Sequence, residues 1–298
     1  MPSLATRVAA ETLRLLPRKR ISRGLGSIAS FHAAASLPGG SGLLRQAIDL
    51  YVKAYDVDLG EAEIPPGGFD SFDAFFTRAL RPGARPVEGG EEILVSPADG
   101  RVEDCGPVEP GARVHVKGHD YSLGELLGDP RDGERFEGGT FAVVYLSPRD
   151  YHRVHAPVAG AVHTVRHVGG TLLPVNPFGV ASYPNLFARN ERVAVFQRSE
   201  AFGEVVTILV GAIGVGRISL SFDASVMTNV GRGPTTLRYA PERAPTLERG
   251  GELGMFHLGS TAIVITNPDH PAALAVQAGE MVRMGRRLAL GDAGGDAR

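Results

Sequence analysis

From Ile93 onward the chain consists of short apolar runs that glycine or proline interrupts every few residues. The protein has 39 glycines and 21 prolines in 298 residues. Short runs rich in Val, Ile, Phe and Tyr between such breaks predict β-strands. The clearest runs cover residues 140–146, 192–197, 205–210, 217–220 and 261–266. No βαβ alternation accompanies them, so the pattern favours a sandwich or barrel over a parallel sheet.

The first eighty residues have a different periodicity. Residues 4–16 place leucines and alanines on one half of a helix and Arg7, Glu11 and Arg14 on the other. Further helical patterns cover residues 43–55 and 72–79. The sequence therefore predicts an α+β protein: a helical amino-terminal region in residues 1–68, a β-rich body in residues 69–290 and a disordered tail in residues 291–298.

The β-rich body contains an internal echo. Segments 96–102 and 156–162 share the frame Pro-x-x-Gly-x-Val, in which each glycine would form a turn that leads into a strand. Two related strand–turn–strand units facing one another would form a pseudo-symmetric β-sandwich or barrel, related to the hybrid folds of biotinyl and lipoyl carrier modules.

Charge and cysteine content limit the possible partners. The formal net charge is −2, but residues 1–30 carry six Arg or Lys and a single acid. An amphipathic helix followed by this basic cluster is typical of helices that lie at a membrane surface, and the alternative is packing on the protein's own domain. No long basic stripe indicates nucleic-acid binding. The single cysteine, Cys105, cannot form an intrachain disulfide, which favours a reducing compartment.

No segment has the roughly 18 to 20 consecutive apolar residues that a membrane-spanning helix needs. The amino terminus also lacks a signal peptide's order of charge, apolar block and small-residue cleavage site. We therefore expect a protein that does not span the bilayer.

Asp99, His155 and Ser260 supply the three side chains of a nucleophile–base–orienter triad. Each also has an ordinary explanation, because Asp-Gly is a common turn and a histidine often serves as a polar turn residue. His152 and His155 have the spacing of two metal ligands, but no nearby motif offers a third, so no metal site is expected.

Five ordered segments are similar to those of phosphatidylserine decarboxylases. The resemblance extends from about Phe69 to Ile265, and Leu-Gly-Ser-Thr before a strand is that family's processing site. The segments are 75–80 with 83–86 (FFTRAL, GARP), 96–100 (SPADG), 151–157 (YHRVHAP), 186–192 (LFARNER) and 258–261 (LGST).

The resemblance implies that the chain cuts itself once. His155, oriented by Asp99, would deprotonate Ser260, and the Ser260 oxygen would attack the carbonyl of Gly259 to give an ester. Elimination and hydrolysis would then leave a pyruvoyl group in place of Ser260. The products would be chains 1–259 and 260–298, and the bare Cα of Gly259 would allow close approach.

The resemblance also implies the turnover chemistry. The pyruvoyl cofactor would form a Schiff base with the amine of phosphatidylserine and accept electrons as CO2 leaves, giving phosphatidylethanolamine. His152 matches the histidine assigned to proton delivery, and His155 is a lesser candidate. The implied location is peripheral, on the cytoplasmic face of the cell membrane, where residues 1–23 would meet anionic lipid. A homodimer remains open.

Three alternatives stay open at this point. A serine hydrolase would use Asp99, His155 and Ser260 on an external ester, although the Gly-x-Ser-x-Gly elbow is missing. A carrier or binding module would need a lysine at a hairpin tip, and neither Gly100 nor Gly160 is followed by one. A pyruvoyl decarboxylase could also act on another serine-headgroup phospholipid or on a soluble amino acid.

Overall fold

The computed structural model describes residues 37–212, 217–229, 234–257 and 260–291. The predicted helix 4–16, the basic cluster, Gly259 and all of the predicted tail except Gly291 lie outside these residues. The helices are α1 (Gly42–Tyr55), α2 (Phe72–Phe76), α3 (Leu123–Leu127), α4 (Pro130–Glu134), α5 (Pro177–Ser182) and α6 (Leu186–Arg189), with a 3-10 turn at Pro241–Arg243.

The described residues form seventeen strands. They are β1 (Ile93–Val95), β2 (Gly100–Pro107), β3 (Arg113–Val116), β4 (His119–Ser122), β5 (Thr140–Leu146), β6 (Arg153–His155), β7 (Gly160–Val168), β8 (Arg192–Ser199), β9 (Gly203–Gly211), β10 (Ile218–Leu220), β11 (Thr235–Arg238), β12 (Thr246–Leu247), β13 (Glu252–Phe256), β14 (Ser260–Thr266), β15 (Ala272–Leu274), β16 (Met281–Val282) and β17 (Arg287–Gly291). The α+β prediction is confirmed, because helices precede an antiparallel β-rich body.

Helices α1 and α2 begin where serine caps them. The Ser41 and Ser71 hydroxyls accept hydrogen bonds from backbone N–H groups of the first turns, which satisfies donors that have no partner within the helix. Helix α2 ends at Phe76, with Thr77 as its C-cap, so the predicted helical run to residue 79 is too long. Among the described residues, no helix is long and apolar enough to span a membrane.

Nine strands form the central sheet, in the order β11-β7-β8-β9-β14-β5-β2-β16, with β12 also paired to β7. Side chains alternate between its two faces along each strand. In β14, Ala262 and Val264 pack on one face, whereas Ile263 and Ile265 pack on the other. Apolar side chains cover both faces, so the sheet is the centre of the core.

Two three-stranded sheets pack on one face of the central sheet. Their orders are β1-β17-β15 and β10-β13-β6. On the opposite face, the β3–β4 hairpin, α3 and α6 enclose the largest apolar cluster. None of these sheets closes on itself, so the barrel alternative is wrong and the body is an open layered structure.

The internal echo corresponds to real structural symmetry. Strand β2 pairs with β5 and β16 as β7 pairs with β8 and β12. The register shifts at the same place in both units, between Val102 and Asp104 and between Val162 and Thr164. A Cβ on Gly100 or Gly160 would lie 2.3 or 2.2 Å from a carbonyl oxygen of the neighbouring strand. The close approach of the two backbones therefore requires glycine at both positions.

Candidate active site

Ser260 is the first residue of β14 and is completely buried. It pairs with Leu146 of β5 and Gly211 of β9, so its backbone is held in the middle of the central sheet. The segment before it comes from a different sheet, because β13 ends at Phe256. The chain thus crosses from one sheet to another immediately before the serine.

His152 is the described side chain that hydrogen-bonds the Ser260 hydroxyl, with 3.4 Å between Nδ1 and Oγ. Its Nε2 lies 3.1 Å from the carbonyl oxygen of Ser147. A carbonyl only accepts, so Nε2 carries the proton and Nδ1 presents its lone pair to the serine. Phe76 of α2 stacks on the imidazole, with 4.0 Å between ring centroids.

Burial lowers the pKa of His152 to about 3, and the nearby Arg78 guanidinium adds to the shift. The imidazole is therefore neutral at physiological pH. A neutral imidazole with a free Nδ1 can accept the serine proton, but before it does so its Nδ1 has no proton to donate.

His155 is also buried, but it faces other partners. Its Nδ1 donates to the carbonyl of Gly250 at 2.8 Å, and its Nε2 lies 3.0 Å from the hydroxyl of Tyr151. Burial lowers the pKa of His155 as well. Since Nδ1 carries the proton, the Tyr151 hydroxyl donates to Nε2.

Asp99 belongs to a buried ion-pair network. Arg85 donates from Nε to Oδ1 at 2.9 Å, and the backbone N–H of Met284 donates to the same oxygen at 2.8 Å. Arg85 also binds Glu61, at 2.7 Å. All the hydrogen bonds that the described structure gives Asp99 go to these groups.

Hydrogen bonds do not join all four of the predicted site residues. Ser260 and His152 are in contact, whereas no described hydrogen bond joins Asp99 to His155 or His155 to Ser260. The backbone N–H of His155 does donate to the carbonyl of Pro97 at 2.8 Å, so the two segments lie side by side. The division of roles implied by the resemblance remains a prediction, and Gly259 lies outside the described residues.

A polar cleft of about 730 Å³ opens beside Asp99 and Tyr151. Arg78, Arg85 and Arg149 also line it. Phe76, Arg78 and Arg85 had no role in the sequence-based site, although they lie in the segments that carried the resemblance. Their position in those segments was the sequence signal that could have identified them.

The geometry defines a class of protein: a layered β-rich protein with a buried serine–histidine pair where the chain crosses between two sheets. The family model described as "Phosphatidylserine decarboxylase" matches residues 72–290. A phosphatidylserine decarboxylase proenzyme from Shewanella baltica (strain OS155 / ATCC BAA-1091) is 40% identical over 282 residues, covering 92% of this chain and 94% of the relative.

The proenzyme of Bordetella avium (strain 197N) is also 40% identical, over 298 residues that cover 97% of this chain and 96% of the relative. That of Shewanella loihica is 38% identical over 281 residues, with coverage of 92% and 96%. The chain belongs to the phosphatidylserine decarboxylase family. Neither the hydrolase nor the carrier alternative has support from these relatives.

Proposed function

We propose that this protein decarboxylates phosphatidylserine to phosphatidylethanolamine and CO2, using a pyruvoyl group made from its own Ser260. The observation that carries the proposal is the buried Ser260–His152 contact at 3.4 Å, with the lone pair of Nδ1 directed at the hydroxyl. The family match over residues 72–290 supports the reaction, and the relatives' name, proenzyme, supports processing into chains 1–259 and 260–298.

In self-cleavage, the proton of Ser260 Oγ passes to Nδ1 of His152 as the Oγ–carbonyl bond to Gly259 forms. The Gly259–Ser260 C–N bond then breaks, and the proton returns to the freed amine. Elimination releases the Gly259 carboxylate and leaves dehydroalanine, which water converts to a pyruvoyl group and ammonia. The lowered pKa of His152 makes it a weak base, which is adequate for a reaction that each chain performs once.

The residues at the site fit a pyruvoyl group at position 260. Its precursor side chain is buried between sheets, and the stacked ring of Phe76 shields the neighbouring His152. When formed, the group supplies a ketone that binds the substrate amine and accepts the electron pair released with CO2. A dry site protects such a carbonyl from side reactions.

His152 also supports proton delivery during turnover. In the precursor, burial and the charge of Arg78 lower the pKa of His152 so far that the imidazole is unprotonated at physiological pH. An anionic lipid headgroup near Arg78 would offset the cationic charge and raise the pKa of His152. That change would make His152 easier to protonate, although burial is the larger cause of its low pKa.

The enzyme would work from the membrane surface, peripherally and on the cytoplasmic face. Two leucines on α1, Leu43 and Leu50, have 63% and 69% of their surface exposed. They lie seven positions apart and therefore on one side of the helix. The buried side of α1 faces α2, and the ring of Tyr51 on α1 lies 6.4 Å from that of Phe76. Insertion of Leu43 and Leu50 would bring the lipid close to the helix that covers His152.

The membrane contact can be measured separately from catalysis. Replacing Leu43 and Leu50 together with serine should reduce sedimentation with phosphatidylserine-containing vesicles. Ile64→Ser, at a residue that is 47% exposed but outside the helix, is the matched control. If both variants and the unaltered protein bound the vesicles equally, α1 would not be part of the membrane contact.

The reaction itself is tested by incubating the purified protein with phosphatidylserine vesicles and measuring phosphatidylethanolamine and CO2. The unaltered protein should convert the lipid, and Ser260→Ala should give no product above background. Full activity in Ser260→Ala would refute the proposal. Hydrolysis of the lipid ester without release of CO2 would instead favour a hydrolase.

A further inference from the structure

A second polar cluster lies immediately before the cleavage segment. Nδ1 of His257 is 2.8 Å from Oδ1 of Asp73, and Nε2 of His257 is 3.0 Å from Oγ of Ser219. Arg217 donates from Nη2 to Oδ2 of Asp73 at 3.0 Å. The cluster therefore joins α2, which carries Asp73, to the β10–β13 sheet. The mechanism above gives none of these four side chains a role.

The charges in this cluster complement one another. Burial raises the pKa of Asp73, but hydrogen bonds and charge from His257 and Arg217 outweigh that effect and hold its pKa below the usual range. Asp73 is thus a carboxylate that only accepts, so Nδ1 of His257 donates to it. The His257 side chain is 10% exposed and that of Asp73 is 41% exposed, so the contact shields the imidazole and leaves the carboxylate partly open to solvent.

His257 is the last described residue before Ser260, and only Leu258 and Gly259 separate them. Its backbone N–H donates to the carbonyl of Arg217 at 2.9 Å, and the N–H of Phe256 donates to the carbonyl of His152 at 3.0 Å. On the other side of the short connection, Ser260 is held in the central sheet. The chain is therefore fixed on both sides of the Gly259–Ser260 peptide.

Helix α2 connects this anchor to the base. It carries Asp73, which binds His257, and Phe76, whose ring stacks on His152. One short helix thus contacts both the imidazole that accepts the serine proton and His257, two residues before Gly259. A shift of α2 would change both positions together.

We propose that Asp73 and His257 are positioning residues for self-cleavage, holding the Gly259 carbonyl within reach of the Ser260 hydroxyl. The inference rests on the proposed function, since it assumes cleavage at that peptide. Holding the reacting groups in place is worth a large rate factor, and a misplacement of about 1 Å can cost roughly 100-fold.

Two substitutions at position 257 each replace one of the two imidazole nitrogens. Asparagine at position 257 places an amide where Nδ1 lies and keeps a donor for Asp73, whereas glutamine reaches the position of Nε2 and loses that donor. Cleavage would be followed by intact mass during cell-free synthesis of the full chain. Asp73→Asn and His257→Gln should each slow appearance of the carboxy-terminal fragment at least about fivefold, and His257→Asn should stay within about twofold.

Combining Asp73→Asn with His257→Gln should slow cleavage no more than His257→Gln alone, because both changes act on the same contact. Asp132→Asn is the matched control: Asp132 also binds two cations, Arg135 and Arg166, but does not contact this cluster. It should cleave at the normal rate. Thermal unfolding in the Ser260→Ala background reports any loss of fold separately from the rate.

Two outcomes would overturn the inference. One is cleavage of Asp73→Asn or His257→Gln less than fivefold slower than that of the unaltered chain. The other is slowing by His257→Asn that equals the slowing by His257→Gln, because a general structural defect would affect both. If the unaltered chain itself gives no fragment, the proposed function fails, and that result is distinct from both.

Discussion

The two pseudo-symmetric halves of the body share a backbone and differ in the side chains at matching positions. In one half, the N–H of His155 donates to the carbonyl of Pro97 at 2.8 Å; in the other, the N–H of Val95 donates to Pro157 at 3.0 Å. Each Pro-x-x-Gly turn therefore binds the strand that precedes the other. A histidine in one half occupies the position of a valine in the other.

Asp99 and Ser260 follow the same rule. Asp99 lies one residue before Gly100, and Ala159 lies one residue before Gly160. Leu146 pairs with Ser260 at the end of β5, as Ser199 pairs with Gly203 at the end of β8. A simple turn leads into Gly203, whereas the chain reaches Ser260 from another sheet.

The comparison shows that the repeat supplies the framework and the departures from it supply the chemistry. Backbone pairing fixes both halves equally, since glycines and β-pairing do not depend on the reactive side chains. Asp99, His155 and Ser260 occur where the other half has a small or apolar residue, whereas His152 aligns with Glu92. The predictions below test this separation of framework from chemistry.

The largest expected effect is that of Asp99→Ala, which gives the first half the alanine that the second half has at Ala159. Arg85 would remain buried with only Glu61 as its acidic partner. Breaking a buried ion pair in this way costs about 3–5 kcal/mol of unfolding free energy. Urea unfolding of the Ser260→Ala precursor, with and without Asp99→Ala, measures this cost. A change of less than 1 kcal/mol would mean that Asp99 is not a structural partner.

Alanine at His152 or at His155 tests which histidine serves Ser260. The contact at Ser260 predicts that His152→Ala slows cleavage by about 100-fold or more, since the proton acceptor is lost. His155→Ala should slow it by less than about tenfold, because its hydrogen bonds go to Gly250 and Tyr151. Intact mass over time gives both rates. The reverse order would favour the roles implied by sequence resemblance.

Alanine at Gly100 and alanine at Gly160 should lower stability equally if the two halves share one framework. A methyl group on Gly100 or Gly160 would meet a backbone oxygen at less than 2.5 Å, so each alanine variant should lose about 1–3 kcal/mol of unfolding free energy. Urea unfolding of both single variants in the Ser260→Ala background provides the comparison. If only one variant lost stability, the symmetry would not extend to energetics.

The pH dependence of stability is the smallest effect. The folded pKa of His152 is about 3 against 6.5 for an unperturbed histidine, so the unfolded chain binds more protons between these values. Stability should therefore be complete above pH 6.5 and fall as the pH drops, by about 2 kcal/mol at pH 5. His155, with its lowered pKa, acts in the same direction. His152→Gln should reduce the loss, and a stability independent of pH would contradict the burial of neutral histidines.

Much of the framework could be predicted because it depends on local signals. Runs of β-branched residues gave the main strands, with β5 matching residues 140–146, and the repeated Pro-x-x-Gly frame gave the pseudo-symmetry. Apolar spacing gave helix α1, and the structure adds the Ser41 cap. The open sheets could not be predicted, since closure depends on long-range pairing that no local pattern encodes.

The candidate site was less predictable than the fold. Sequence predicted Ser260 and both histidines as site residues, but which ring faces the serine depends on how β6 and β13 are aligned. Sequence does not reveal that Arg85 binds the Asp99 oxygens, and the triad role of Asp99 stays a prediction. The role of His257 depends on Asp73, 184 residues away in the chain, and only the folded structure brings them together.

The central claim is that Ser260 becomes a carbonyl by cleavage of its own chain. Intact-mass measurement of the purified full-length protein tests it directly. Self-cleavage predicts two chains, 1–259 and 260–298. The shorter chain should be lighter than its serine-started form by the mass difference between serine and pyruvoyl. A protein that decarboxylates phosphatidylserine while remaining one chain of 298 residues would contradict the account.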